Sequence, residues 1–259
     1  MSLQVLNLSY GQQGKDILKQ VSLTLNAGES LALVGNNGSG KSTLLKIIMG
    51  ELLPHCHEVH LQNRSRHQWP RQTLARKIAF LRQHSHINFN FTCEELVAMG
   101  RYPHASGQSR DQQIIDAAME LTDVSQFRHH LVTHVSGGEL QRTQLARVLA
   151  QIWEPCDEDE FRLLVLDEPT NGLDLAHQHS IFQAIQQFKE RQLAVIFVVH
   201  DLNLAARYGD KVLVLDHGEV AASGTPDTVF TAANIKKHFG LDVHIQPHPV
   251  FSIPNIIPV

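Results

Sequence analysis

The stretch GNNGSGKS, residues 35–42, constrains the fold of this chain more than any other segment. It fits the pattern G-x4-G-K-[ST], follows the apolar run at 30–34 and precedes apolar residues at helical spacing that end at Gly50. In such a strand–loop–helix unit the glycines let backbone N–H groups turn toward phosphate oxygens, and the helix dipole adds positive potential. The pattern predicts a phosphate-binding loop, with Lys41 at the β/γ-phosphates of a nucleotide and Ser42 on Mg²⁺.

Apolar runs that alternate with helical patterns predict the surrounding sheet. The runs Val21–Leu25 and Ser30–Val34 are joined by Asn-Ala-Gly, which favours a hairpin. From residue 163 the chain alternates strands and helices, with apolar strand patterns at 163–168, 193–200 and 211–224 and helical patterns at 177–192 and 201–208. Continuous Val/Ile/Leu strands separated by helices are typical of a buried, mostly parallel sheet in an α/β fold. The last segment, 248–259, is interrupted by prolines and is expected to be irregular.

Residues 92–150 have a different pattern and predict a helical insert. Thr92 and Glu95 have the spacing of a capping box, and helical periodicity continues through 111–121. Ser136 and Glu139 repeat the capping-box spacing at a further predicted helix. Its buried stripe is expected to consist of Leu145, Val148, Leu149 and Ile152. The Gly pair after Ser136 also suits phosphate binding, and both interpretations use the same exposed N–H groups.

Two strand ends carry candidate catalytic side chains. Asp167 and Glu168 follow the apolar run at 163–166, where an aspartate suits a Mg²⁺ site and the glutamate suits a general base that polarises water. A carboxylate that is simply solvated at a strand end is the alternative. His200 ends another strand, and such a histidine is often structural. Ligands gather at the carboxyl ends of parallel strands, which favours a place for His200 in the same site.

Composition excludes several classes of function. Lys and Arg number 22 against 26 Asp and Glu, a formal net charge of −4, so no nucleic-acid partner is expected. The N-terminus lacks the pattern of a signal peptide, and the longest apolar run, at 193–199, is far short of the roughly 18 residues of a membrane span. Three widely spaced cysteines fit a reducing cytosol. The 17 histidines include HxH pairs at 55–57, 84–86 and 177–179, which lack the spacing of a zinc site and are interpreted as surface residues.

The ordered motifs resemble the nucleotide-binding domain of the ATP-binding cassette (ABC) family over about residues 2–230. The motifs that carry the resemblance are Gly35–Ser42, Gln83, VSGGE at 135–139, Asp167-Glu168, NGLD at 171–174 and His200. The resemblance implies a single α/β domain over 1–259: a RecA-like P-loop NTPase core with an antiparallel β subdomain (1–83 and 151–230), an inserted α-helical subdomain with the signature motif (84–150) and a C-terminal tail (231–259).

The resemblance also implies a role for each matching residue. Tyr10 resembles the aromatic that stacks on adenine, Gln83 the glutamine that senses Mg²⁺ and water, and His200 the histidine at the γ-phosphate. The nucleotide contacts implied are Tyr10, Gly35, Asn36, Asn37, Gly38, Ser39, Gly40, Lys41, Ser42, Thr43, Ser136, Gly137, Gly138 and Asp174. The Mg²⁺ contacts implied are Ser42, Gln83 and Asp167. Val135 and Glu139 replace the leucine and glutamine of the family's LSGGQ signature, which puts in doubt any role for a neutral amide there.

The spacing and number of the motifs indicate which branch of the family the chain resembles. About fifty residues separate Gln83 from Ser136, too few for the coiled coil of chromosome-maintenance relatives, and a single Lys-bearing glycine loop separates the chain from two-cassette translation factors. What remains is an ATPase subunit of a bacterial importer. The segment MGRYPH, 99–104, is similar to ATPases of iron-siderophore, heme and cobalamin importers, and QLARVLAQIW, the acidic stretch at 154–162, HDLNLAARYGD and the HP…IP tail favour the heme branch.

The expected partners follow from this branch. They are a second copy of the chain, an integral-membrane permease in two copies, and a substrate-binding protein that acts through the permease, at the cytoplasmic face of the inner membrane. ATP and Mg²⁺ are the expected cofactors. Siderophore or cobalamin import stays an alternative, as does a regulatory ATP-binding cassette without transport; a P-loop kinase leaves VSGGE unexplained.

Overall fold

The computed structural model describes residues 2–52, 58–83, 89–154, 161–190 and 192–259. It forms two compact units, one of Met1–Gln68 and Ala194–Val259 and the other of Trp69–Leu193. The histidine pairs at 55–57 and 84–86, and residues 155–160 of the acidic stretch, lie outside the described residues.

The described elements are numbered in chain order. The strands are β1 (Ser2–Gln12), β2 (Lys15–Asn26), β3 (Ser30–Val34), β4 (Val59–Leu61), β5 (Arg64–Ser65), β6 (Ile78–Leu81), β7 (Arg162–Asp167), β8 (Leu193–Val198), β9 (Lys211–Asp216), β10 (Glu219–Gly224), β11 (Val243–Pro247) and β12 (Pro254–Pro258). The helices are α1 (Lys41–Met49), α2 (Arg71–Lys77), α3 (Cys93–Ala98), α4 (Gln108–Leu121), α5 (Gly137–Gln151), α6 (Leu175–Lys189), α7 (Leu202–Tyr208), α8 (Pro226–Val229) and α9 (Ala232–Phe239).

The first unit contains the strand that leads into the glycine loop. Strand β3 pairs in parallel with β8 on one side and with β9 on the other, and β10 adds antiparallel to β9. Every residue of β3 is buried, as expected for a strand at the centre of a parallel sheet. A separate antiparallel sheet has the order β2-β1-β4-β5. The predicted α/β character is thus confirmed in this unit.

The hairpin predicted between β2 and β3 is wrong. Strand β2 pairs with β1 in the antiparallel sheet, whereas β3 pairs only with β8 and β9 among the described strands. The turn composition is real, since Gly28 has φ +76°, but it carries the chain from one sheet to the other. Burial explains the choice of partners: β2 alternates between buried and exposed positions, and β3 is buried throughout.

The C-terminal segment is also more ordered than predicted. Strands β11 and β12 pair antiparallel over five positions, from Val243 with Pro258 to Pro247 with Pro254. Prolines are tolerated because a two-stranded sheet leaves one edge of each strand without a partner. The Asn203 side chain holds β12 by donating to the Ile256 carbonyl (3.1 Å) and accepting the Ile256 N–H (2.8 Å).

The second unit joins a strand pair to the predicted helical insert. Strands β6 and β7 are parallel, with Leu81 opposite Leu166. Helices α3, α4 and α5 enclose an apolar core whose members include Leu96, Val97, Ile114, Met119, Val132 and Ala146. Both predicted capping boxes are present, at Thr92 and at Ser136, and the predicted stripe of α5 is buried. Among the described residues, no helix combines the length and the apolar character needed to cross a membrane.

Candidate functional site

The glycine loop leaves β3 in a conformation that a side chain would block. Gly35 has φ +147°, and a Cβ atom built there would lie 2.1 Å from the Leu215 carbonyl oxygen of β9. Gly38 and Gly40 also have positive φ, and a Cβ at Gly38 would meet no other described residue within 4 Å. The loop is therefore held against β9 on one side and is open on the other, as a phosphate cradle requires.

The side chains of the loop fit a phosphate group. The Lys41 side chain is folded into the loop, where Nζ donates to the carbonyl oxygens of Gly35 (2.7 Å) and Asn36 (2.9 Å). The hydroxyl of Ser39 is buried and makes no hydrogen bond within the described residues. A buried hydroxyl without a partner costs free energy unless a ligand satisfies it. Ser42 is exposed at the first turn of α1, where a bound cation can be reached.

A cavity of about 230 Å³ lies beside the loop in the same unit. Residues 35–37 of the loop line one part of it, and His200 and Phe239 line others. His200 is exposed two residues beyond β8, which is parallel to β3, so the shared edge of the sheet brings it next to the loop.

Tyr10 lies on β1, and β2, which pairs with β1, packs against the glycine loop. Its Cα partner on β2 is Leu18. A Cβ at Gly40 would approach the Leu18 side chain to 2.7 Å. Strand β2, the partner of the strand that carries Tyr10, therefore adjoins the start of α1, and the Tyr10 side chain is half-exposed.

The second unit contains the paired carboxylates. All six residues of β7 are buried, and Asp167 is the last of them. Glu168 follows in the left-handed backbone region at φ +52°, a conformation that costs free energy in a residue other than glycine. Its Oε2 accepts a hydrogen bond of 2.5 Å from Nε2 of Gln83, two residues beyond β6. The parallel register of β6 and β7 explains why residues 85 positions apart meet.

The N-terminus of α5 is stabilised by a capping box and is exposed at Gly137. The Ser136 hydroxyl accepts the Glu139 N–H, and the Glu139 carboxylate accepts the Ser136 N–H at 2.7 Å. Hydrogen bonding of this carboxylate to the backbone of Ser136, and secondly to its side chain, lowers the pKa of Glu139. Gly137 is exposed, and within the described part of the chain a Cβ built there meets no atom within 4 Å outside its own helix and its chain neighbours, so the N-terminus of this helix is accessible to an anion.

Asp174 caps the next helix, and a histidine shares its carboxylate. The Oδ1 atom accepts the His177 N–H (2.9 Å) and lies 2.8 Å from Nδ1 of the same residue. These bonds, the backbone one first, lower the pKa of Asp174. Leu173, the preceding residue, would be 3.1 Å from a Cβ at Gly138, so the signature segment and the Asp174 loop are neighbours.

Comparisons with known proteins identify the family. A family model described as ABC transporter matches residues 18–171, more than half of the chain. The chain is a member of the ABC transporter family. Curated relatives include the hemin import ATP-binding proteins of Pseudomonas entomophila, 44% identical over 98% of this chain and 99% of that protein, and of Gloeobacter violaceus, 45% identical over 95% and 90%.

Solved structures agree with this assignment to the ABC family. A chain of an inward-facing ABC transporter of metal-chelate type superposes with a TM-score of 0.81, 26% identity and coverage of 100% of this chain and 97% of that one. The cbiO1 subunit of a Clostridium perfringens ABC transporter complex gives a TM-score of 0.74 and 25% identity over 91% and 92%. The predicted ABC ATPase fold is confirmed.

The sequence analysis did not single out two residues that adjoin the candidate site. Phe239 lines the cavity beside the glycine loop, and His177 contacts Asp174. His177 had a local signal, because it stands three residues after a helix N-cap. Phe239 had none, since it comes from a segment whose position depends on the tertiary fold.

Proposed function

We propose that this chain is the ATP-hydrolysing subunit of a bacterial importer that takes up hemin through a separate membrane permease. The observation that carries the cargo assignment is the 44% identity, over 98% of the chain, to a protein named for hemin import. The observation that carries the hydrolytic assignment is the contact between Glu168 and Gln83 at adjoining strand ends.

In the proposed reaction the glycine loop binds the phosphates of ATP. Lys41 exchanges its hydrogen bonds with the loop carbonyls for contacts with the β/γ-phosphates. The Ser39 hydroxyl donates a hydrogen bond to a phosphate oxygen. His200 adjoins the loop and supports the charge that develops on the γ-phosphate. Tyr10 stacks on adenine.

Glu168 acts as the general base on the attacking water. The carboxylate accepts a proton as the water attacks, and the bond to Gln83 fixes its orientation. Holding the water in place supplies much of the rate enhancement, because phosphoryl transfer requires mostly positioning and charge stabilisation. Ser42, Gln83 and Asp167 offer the oxygen ligands that suit Mg²⁺, which when bound neutralises phosphate charge.

Two copies of the chain form the working unit. The open N-terminus of α5, with Ser136 to Gly138, contacts the ATP held by the glycine loop of the other copy, and Asp174 crosses the interface. Closure of the two copies on ATP changes the side of the membrane to which the permease is open, and hydrolysis returns the pair of copies to its open state.

The segment at 99–104 is the proposed docking surface for the permease. Arg101 is buried, and it donates to the Asp111 carboxylate at 2.8 Å and to the Ala150 carbonyl at 2.7 Å. The next residue, Tyr102, is 77% exposed. The buried arginine anchors the segment, and the neighbouring aromatic ring presents an exposed, amphipathic contact of the kind enriched at protein interfaces.

The test is ATPase activity of the complex reconstituted with its permease in proteoliposomes. We expect a hemin-loaded binding protein to stimulate hydrolysis several-fold, with siderophore- and cobalamin-loaded binding proteins as matched arms. Stimulation by one of those arms instead would reassign the cargo. Failure to co-purify with any polytopic membrane protein would favour a regulatory cassette.

A further inference from the structure

The C-terminal end of α9 is tied to the glycine loop by a hydrogen bond. The last carbonyl groups of a helix have no partner inside it and must find one elsewhere. The carbonyl oxygen of His238, in the last turn of α9, accepts a bond of 2.7 Å from Nδ2 of Asn36. Asn36 is the second residue of the loop, and the two residues are 202 positions apart.

The position of that carbonyl is fixed from the opposite side. The His238 residue is only 9% exposed, and its Nδ1 lies 3.0 Å from the Asp216 carboxylate at the end of β9. The residue before Asp216 is Leu215, whose carbonyl closes the space around Gly35. The end of β9 therefore supports both α9 and the start of the glycine loop. Gly240 ends the helix with φ +70° and donates to the Lys236 carbonyl.

The same helix end borders the cavity. Phe239 lines it together with residues 35–37 and His200. The half-buried ring supplies an apolar wall beside the loop, so this part of the cavity is shaped by the C-terminal segment rather than by the loop alone.

We propose that α9 holds the glycine loop ready for ATP, with Asn36 as a positioning residue that acts through the His238 carbonyl. The inference rests on the proposed function, in which this loop binds ATP. The amide bond fixes the start of the loop before binding, so less conformational freedom is lost when the phosphates arrive. Residues 35–37 line the same cavity as His200, the residue proposed at the γ-phosphate, so the effect is expected to be greater for ATP than for ADP.

The test compares nucleotide binding and turnover of the full-length protein and its Asn36→Ala variant. Loss of a hydrogen bond that orders the loop should raise the KM for ATP about three- to tenfold and change kcat less than twofold. ADP affinity, measured with a fluorescent analogue, should change less than ATP affinity. His238→Ala, which releases the helix end from Asp216, should raise the KM in the wild-type background and add nothing to Asn36→Ala.

Asn234→Ala is the matched control on the same helix. Its amide donates to the Val229 carbonyl at 2.9 Å, near the opposite end of α9, so its loss should lower thermal stability and leave the KM unchanged. An equal rise in KM for Asn234→Ala, or additive effects of Asn36→Ala and His238→Ala, would overturn the inference.

Lys41→Ala separates this inference from the proposed site. If Lys41→Ala abolishes ATP binding while Asn36→Ala leaves the KM unchanged, the positioning role is refuted and the site stands. If Lys41→Ala still binds ATP normally, the proposed site itself is wrong.

Discussion

At the scale of single residues, Glu168 combines a costly backbone conformation with an oriented side chain. Its φ of +52° turns the chain sharply after the buried strand β7, and its carboxylate meets Gln83 at 2.5 Å. Strain of this kind persists when the surrounding structure holds it, and it concentrates at functional sites. The backbone turn and the hydrogen bond together select one direction for the carboxylate.

Glu168→Gln should abolish turnover and preserve ATP binding. The amide keeps the shape of the side chain but cannot accept a proton from water, so kcat should fall by about 10²–10⁴. Size-exclusion chromatography with ATP should show a species of twice 29.0 kDa. Glu120→Gln, a change at an exposed carboxylate on α4, serves as the control and should hydrolyse ATP normally. Near-normal hydrolysis by Glu168→Gln would remove Glu168 from the role of base.

The groups that sequence reasoning located are those with a local signature. The glycine spacing around Lys41 and the carboxylates after an apolar run are visible within ten residues of sequence. The bond between Asn36 and the His238 carbonyl depends on where α9 packs, and no pattern in either segment indicates the other. A main-chain acceptor leaves no mark in the sequence at all.

At the scale of elements, α3 and α5 begin with the same capping box. In each, a carboxylate accepts the N–H of the N-cap residue, Thr92 for Glu95 and Ser136 for Glu139. Hydrogen bonds from the N-cap residue, backbone first, lower the pKa of both glutamates. The two helix starts differ in surroundings, since that of α5 carries the exposed Gly137.

Glu139→Gln should flatten the acid limb of the stability curve. The pKa of Glu139 is lower in the folded protein than its ordinary value of 4.5, so the carboxylate stabilises the fold fully when the pH is above 4.5. This stabilisation is lost as the pH falls through the pKa of the folded state. The free energy of unfolding, followed by urea titration between about pH 6 and pH 3, should therefore decline less for Glu139→Gln than for wild type. Glu95→Gln should behave alike, because its cap has the same geometry. A decline as steep as that of wild type would contradict the assignment.

Element prediction failed where the choice of strand partner is not local. The turn at residues 26–28 favours reversal, but β3 is buried throughout and pairs with β8 and β9, which come more than 150 residues later. The prolines of the tail hid β12, because a strand at the edge of a two-stranded sheet needs fewer N–H donors than the usual pattern assumes.

At the scale of the whole molecule, the proposed pair places Lys41 and Ser136 of different copies on one ATP. Lys41→Ala and Ser136→Arg should each abolish hydrolysis, and Ser136→Arg should keep ATP binding. When the two variants are mixed in equal amounts, half of the dimers contain one copy of each variant. Each of these mixed dimers has one ATP site in which both Lys41 and Ser136 are intact. Activity should then recover to about a quarter of wild type, as two-fold symmetry requires.

The control is either variant mixed with itself at the same total concentration. A mixture that stays inactive would contradict sites shared between copies. Full activity of either variant alone would contradict the arrangement of the pair.

The turn at Glu168 carries a consequence for laboratory evolution. Asparagine tolerates the left-handed region better than glutamate, so Glu168→Asn should recover part of the conformational cost, on the order of 1 kcal/mol, while removing the proposed base. A screen that selects for thermal stability and not for transport should therefore enrich inactive variants substituted at this position. In the proposed mechanism, folding and turnover therefore make opposite demands on residue 168.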